Sequence, residues 1–156
     1  MITADELTQT LVDGGIPKST IQLFDEYYIF PTENWISKEL GASLNKFFFD
    51  TGIKYQDDQY DCNKFAKTAS TIADWCWAKT KVKDAALAFG IFGFMRGFGH
   101  AINIAVHRDA NHKLYLAFYE PQPSIAEGSS AFSLICLTKL NLTKEDIQSC
   151  VTCLFL

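Results

Sequence analysis

A thiol, an imidazole and a carboxylate follow one another in three short islands of this chain. Tyr60-Asp61-Cys62-Asn63-Lys64-Phe65-Ala66 carries the first, Gly99-His100-Ala101-Ile102-Asn103 the second and Tyr119-Glu120-Pro121-Gln122 the third. That set is a sulfur nucleophile, its base and the group that orients the base. Brought together, it would make the chain a cysteine hydrolase or transferase. Left apart, it would belong to an unremarkable globular domain.

The surrounding sequence says how the three would be positioned. Asp61 is a good helix N-cap, and Cys62, Phe65, Ala66, Ala69, Ala73 and Cys76 then recur on one helical face to about Ala78. Cys62 falls in the first turn of that face. Further on, His100 to Arg108 and Lys113 to Glu120 alternate as strands around Asp109-Ala110-Asn111. Pairing Val106 with Leu114, Ile104 with Leu116 and Ile102 with Phe118 puts both apolar faces in one core and His100 opposite Glu120. A shift of two residues leaves the pair diagonal, still within reach of a long side chain. The helix of Cys62 is the expected packing partner of the face that carries His100.

Chemistry would follow from that placement. Glu120 would hold one ring nitrogen of His100, leaving the other to take the proton of Cys62. A helix N-terminus and a nearby imidazolium both favour thiolate. A tetrahedral intermediate would need donors, namely the Cys62 N–H and a side-chain amide. Gln56 is the candidate amide, Gln59 a second choice, and Gln122 can support the pair from behind. The plain alternatives stand beside this reading. Cysteines on apolar helix faces are commonly packed core residues. Asn103 faces away from His100 in this register and reads as structural. His107 and His112 are expected to flank the turn in solvent.

Composition narrows the classes. The 156 residues are 48% hydrophobic, with thirteen Phe and a net charge of −4, enough for one folded domain spanning residues 1–156. With two arginines and no dense basic run, a nucleic-acid face is not expected. Ala85 to Val106 is broken by Arg96 and His100, so no membrane span is expected there. Met1 to Gly15 reads as a polar helix opened by a Thr3–Glu6 capping box rather than as a signal peptide. An odd count of five cysteines without an export signal points to reduced thiols and a cytoplasmic setting. Cys150-x-x-Cys153 has no second pair to complete a zinc site, so no metal is expected.

Helical periodicity also runs from Thr32 to Phe49 and stops at Thr51-Gly52. Ile16 to Phe30 is ambiguous. After Lys79-Thr80-Lys81-Val82-Lys83, read as a linker, come a buried strand (Ala85 to Met95), a Gly97-Phe98-Gly99 turn, the two strands above and a further one at Phe132 to Leu137. A short helix or turn starts at Thr143. Helices first and a mainly antiparallel sheet afterwards make an α+β fold.

The islands Asp61-Cys62-x-x-Phe65-Ala66, Gly99-His100-Ala101-x-Asn103 and Glu120-Pro121-Gln122 resemble the papain-like cysteine peptidase domain at the C-terminal end of certain fungal galactose-binding agglutinins. Related stand-alone domains occur in bacteria and their phages. The resemblance spans about Tyr55 to Gln122. It implies a papain-like fold, with Cys62 as nucleophile, His100 as base, Glu120 as third member and a peptide or protein as substrate. It also implies calcium, since acidic residues commonly follow the cysteine in that family. Here Asn63 and Lys64 stand there instead and argue against a cation, although Asp57, Asp58 and Asp61 could offer oxygens. The expectation is therefore a cofactor-free thiol hydrolase, a cysteine peptidase working through an acyl-enzyme on Cys62. Alternatives are an acyl transferase or cell-wall peptide amidase using the same trio, and a non-catalytic interaction module that keeps the fold. Phe47-Phe48-Phe49 is a candidate exposed patch for the last.

Overall fold

A computed structural model describes residues 1–54, 59, 61–82, 84–96, 98–122, 133–135 and 151–156. The Thr3–Glu6 capping box forms as expected and opens α1 (Ala4–Asp13), with Gly14 as C-cap and Gly15 at φ 97° turning the chain. Thr32 accepts from the Trp35 N–H and starts α2 (Glu33–Trp35), which runs through a π-helical stretch (Ile36–Leu40) into α3 (Gly41–Thr51). Gly52, at φ 64°, ends it in the left-handed conformation that glycine adopts without strain. Asp61 caps α4 (Cys62–Ala78).

Nine strands among the described residues complete the α+β fold. The short strands β1 (Ile2–Thr3), β3 (Tyr27–Ile29) and β4 (Ala86–Leu87) form a small sheet in the order β1-β3-β4. The main sheet has the order β2-β9-β5-β6-β7-β8. Its members are β2 (Ile21–Gln22), β5 (Phe89–Arg96), β6 (Phe98–Arg108), β7 (Leu114–Glu120), β8 (Ser133–Ile135) and β9 (Val151–Phe155). Only β2 with β9 and β3 with β4 run parallel among these pairs. The segment left ambiguous thus contributes two short strands. Of the expected turn at residues 97–99, Phe98 and Gly99 already belong to β6 and pair with Arg96 and Met95, while Gly97 lies outside the described residues. The helix or turn expected at Thr143 lies outside the described residues.

The sheet is covered on both faces, which the alternation of β6 did not announce. Ile102, Ile104 and Val106 pack with Phe92, Phe118 and α1 residues Leu7 and Leu11. Ala105, Ala117 and Tyr119 point the other way, against Phe65, Ala69 and Ala73 of α4 and Ile36, Leu40 and Leu44 of the preceding rod. Small residues at 105 and 117 facing alanines of α4 let helix and sheet approach closely. Each fully buried Leu, Ile or Phe contributes about 1.5–3 kcal/mol of hydrophobic stabilisation. Phe47 is half-buried, Phe48 is buried and Phe49 alone of that run is exposed.

The β6–β7 register is shifted by two from the expected one: Val106 pairs with Leu116 and Ile104 with Phe118. The cause is Asp109. Its Oδ1 accepts from the N–H groups of Asn111 (2.9 Å) and Lys113 (2.8 Å), while its own N–H donates to Lys113 O. Asp109 therefore closes the ladder instead of sitting in the loop, and His112 rather than Asn111 takes the positive φ (63°). Asp109→Ala removes both carboxylate bonds and is expected to cost about 1–2 kcal/mol, read as a lower urea midpoint at unchanged slope. A loss within error would mean the strands alone set the turn.

Candidate functional site

At the end of the β6–β7 pair the imidazole and carboxylate meet. His100 Nε2 lies 3.0 Å from Glu120 Oε2, both side chains being 20% exposed. In the observed register Glu120 is diagonal to His100, and its length closes the gap. The other carboxylate oxygen, Oε1, accepts the main-chain N–H of Gln122 at 3.1 Å. Gln122 thus supports the pair through its backbone. Phe94, opposite His100 on β5, stands edge-on to the imidazole with centroids 5.6 Å apart. Glu120 and Phe94 therefore fix the ring from two sides.

The helix of Cys62, expected to pack on the face that carries His100, packs on the other. Cys62 is the first residue of α4, partly buried, with Phe65, Ala66, Ala69 and Ala73 below it on the buried face. The helix packs on the sheet face of Asn103, Ala105 and Ala117, and Asn103 Nδ2 donates to Ala66 O at 2.9 Å. His100 shares the pleat side of Ile102 and Phe94, the opposite one. No hydrogen bond links Cys62 to His100 or Glu120 among the described residues. Gln56 lies outside the described residues, as do Asp57 and Asp58, while Gln59 is exposed. Asp61 accepts from the Lys64 N–H at 3.4 Å, and Lys64 Nζ lies 3.4 Å from the same oxygen. The first turn of α4 therefore neutralises its own carboxylate. Among the described residues no three His, Cys, Asp or Glu side chains gather in a metal-binding group. No described helix is long and apolar enough to cross a membrane.

Two polar residues are buried where the sequence placed none of consequence or placed them in solvent. His107 is 2% exposed rather than solvated: Nδ1 lies 2.6 Å from Pro31 O and Nε2 2.7 Å from the Tyr119 hydroxyl. Burial pushes its pKa below the ordinary imidazole range, against the opposing pull of the Pro31 bond and Glu33. Burial likewise pushes the Tyr119 phenol up, with Glu33 adding to it. Asn103, read as structural, donates from Nδ2 to Ala66 O and Gly90 O and holds α4 to β5. The signal for both was the odd positions of β6, Ala101, Asn103, Ala105 and His107, which are small or hydrogen-bonding rather than charged.

No protein-family model matches the chain, and no curated protein matches it. Solved structures do. One described as the PSL1a–E64 complex aligns with a TM-score of 0.64 at 23% identity, covering 85% of this chain and 45% of its own. The Polyporus squamosus lectin bound to the human-type influenza-binding epitope Neu5Aca2-6Galb1-4GlcNAc aligns at 0.63 and 18% identity, over 85% and 44%. The chain spans less than half the length of these proteins. The expected cysteine peptidase-like hydrolase, with its thiol protease and catalytic-triad description, is corrected by this comparison: the fold is met in a lectin. The resemblance to a fungal agglutinin holds at the level of fold: the chain shares its fold with part of the Polyporus squamosus lectin.

Proposed function

We propose that the chain is a non-catalytic interaction module, residues 1–156 forming one domain, which binds its ligand at the end of β6 and β7. The observation that carries the reading is the fold shared with a lectin over 85% of the chain. The site geometry agrees with a binding role. Glu120 is held by two partners and His100 by Glu120 and Phe94, so the polar edge is oriented before a ligand arrives and little ordering entropy is lost on binding. Gly99, exposed beside His100, leaves the approach open. Of the finer resemblance, to the domain at the C-terminal end of agglutinins, this reading retains the fold and no chemistry on Cys62.

Oligosaccharides are the first ligand class to test, because the lectin of the same fold holds one by its description. The experiment is an NMR titration of the whole chain with the Neu5Aca2-6Galb1-4GlcNAc trisaccharide and, in parallel, with a mixed peptide pool. The expected result is saturable shifts around His100 and Glu120 with the ligand recovered unchanged. Affinity should fall about tenfold in Glu120→Gln, the loss of one charge-assisted hydrogen bond. Consumption of either ligand by the wild type and not by Cys62→Ala would overturn the reading. So would saturable binding that leaves the His100 and Glu120 signals unmoved.

A further inference from the structure

His107 has the geometry of a switch that the binding site does not use. Pro31 O can only accept, so the proton of a neutral His107 must sit on Nδ1, and Nε2 must accept from the Tyr119 O–H. All three partners are buried: His107 is 2% and Tyr119 4% exposed, and Pro31 is buried with them. The imidazole thereby clamps the entry to α2 onto strands β6 and β7. Tyr115 doubles the clamp. Its ring lies 5.4 Å from that of His107, and its hydroxyl donates to Glu33 Oε1 at 2.8 Å.

We propose that His107 is a proton-operated latch, closed when neutral, that releases residues 31–40 from the sheet when the ring is protonated. A second proton makes Nε2 a donor facing the Tyr119 O–H, which is also a donor in this arrangement. The Tyr119 hydroxyl must then turn to accept and the packed core must hold an imidazolium, or the contact must open. The charged groups around the ring are few. Glu33 comes from α2, Asp109 of the turn is felt through Tyr115, and Arg108 is drawn off over the Phe30 ring at 4.9 Å. The rest of this core face, Leu87, Phe89 and Ala117, carries no titratable group. Glu33 attracts a proton to the ring but burial outweighs it.

The sign follows. Above the unfolded-state value of about 6.5 both states are neutral, and the latch has no pH-dependent cost. As pH falls below that value the unfolded or opened state takes up the proton first, so the closed state loses stability until pH passes the depressed folded-state value. The released segment carries its own reporter, since Trp35 stands edge-on to Trp77 of α4 at 5.9 Å.

The test is a titration from about pH 8 to about pH 4 of tryptophan fluorescence and of amide exchange in the wild type and in His107→Gln. Gln can donate to Pro31 and accept from Tyr119 but does not titrate. In the wild type a fluorescence transition is expected below the ordinary imidazole range. Amides of residues 35–40 should lose about tenfold or more of their protection while those of residues 104–106 keep theirs. The transition should vanish in His107→Gln and persist in His100→Gln. Should His107→Gln not fold, Tyr119→Phe serves, because losing the hydroxyl donor destabilises the neutral ring and should move the transition to higher pH. An unaltered transition in His107→Gln, or in Tyr119→Phe where that is the variant read, overturns the latch. So does loss of protection in residues 104–106 together with residues 35–40.

Discussion

Phe92→Ala should remove about 3–5 kcal/mol of stability, the usual cost of deleting a fully buried ring. Phe92 is 0% exposed, on the central strand β5, paired with Ile102 on one side and Leu154 on the other. Its ring meets those of Phe94 (5.7 Å) and Phe118 (5.0 Å, edge-on), and Leu7 and Leu11 of α1 belong to the same cluster. Neighbours drawn from several elements cannot all collapse into the vacancy, so the cavity cost adds to the lost transfer energy. Small domains hold about 5–15 kcal/mol in total, so the variant should remain folded in buffer with a greatly lowered urea midpoint. His100 depends on the same strand through Phe94, so the variant should also weaken ligand binding at the β6–β7 end. A loss under about 1 kcal/mol would mean this face of the sheet is far looser than its packing indicates.

Local signals carried much of the fold because they rest on short-range physics. Thr3 with Glu6, Asp61 before an apolar stripe, and Gly14-Gly15 or Gly52 after one each satisfy a helix end within a few residues. Tertiary choices were harder to see. The register of β6 and β7 turned on whether Asp109 belonged to the loop or capped it, and alternation accepts both answers because they differ by two. The face of α4 turned on small residues: Ala105 and Ala117 look indifferent in a sequence, yet they are what a closely packed helix requires. His107 is buried on that same face, although its place beside the turn suggests solvent.

The candidate site divides along that line. His100 and Glu120 lie on one hairpin, so strand pairing brings them near, and the length of the glutamate lets it reach the imidazole in either register. Cys62 lies on α4, the natural packing partner of the face that carries His100 but one that no pairing rule fixes, and α4 packs on the other face. A triad inferred from order of residues carries two assumptions of unequal strength, and only the hairpin half rests on a local constraint. The proposed binding role rests on the hairpin half, the oriented imidazole–carboxylate pair.

Asn103→Asp should be at least as damaging as the loss of Phe92, and in a pH-dependent way. Asn103 is fully buried, and both Nδ2 hydrogens are committed, to Ala66 O at 2.9 Å and Gly90 O at 3.0 Å. Its Oδ1 has no hydrogen-bond partner among the described residues, so the two donated bonds are what recommends an amide here. A carboxylate offers no hydrogen to either carbonyl and would bury an uncompensated charge among acceptors, at about 3–5 kcal/mol. The introduced carboxyl can escape by staying protonated, so its folded-state pKa must rise above the unfolded value of about 3.9. The penalty is then least below that value and grows as pH rises through it until the folded-state pKa is passed. Urea unfolding at about pH 4 and about pH 7 should show the gap to wild type widening with pH. Asn103→Leu, which loses the same bonds without a charge, should show no widening from this site. Because Ala66 lies one turn after Cys62, the defect should also free the start of α4, seen as faster amide exchange there than in β7. Equal stability of the two variants at neutral pH would show that water reaches this position, and the tie between α4 and β5 would lose its standing as the contact that seats the helix.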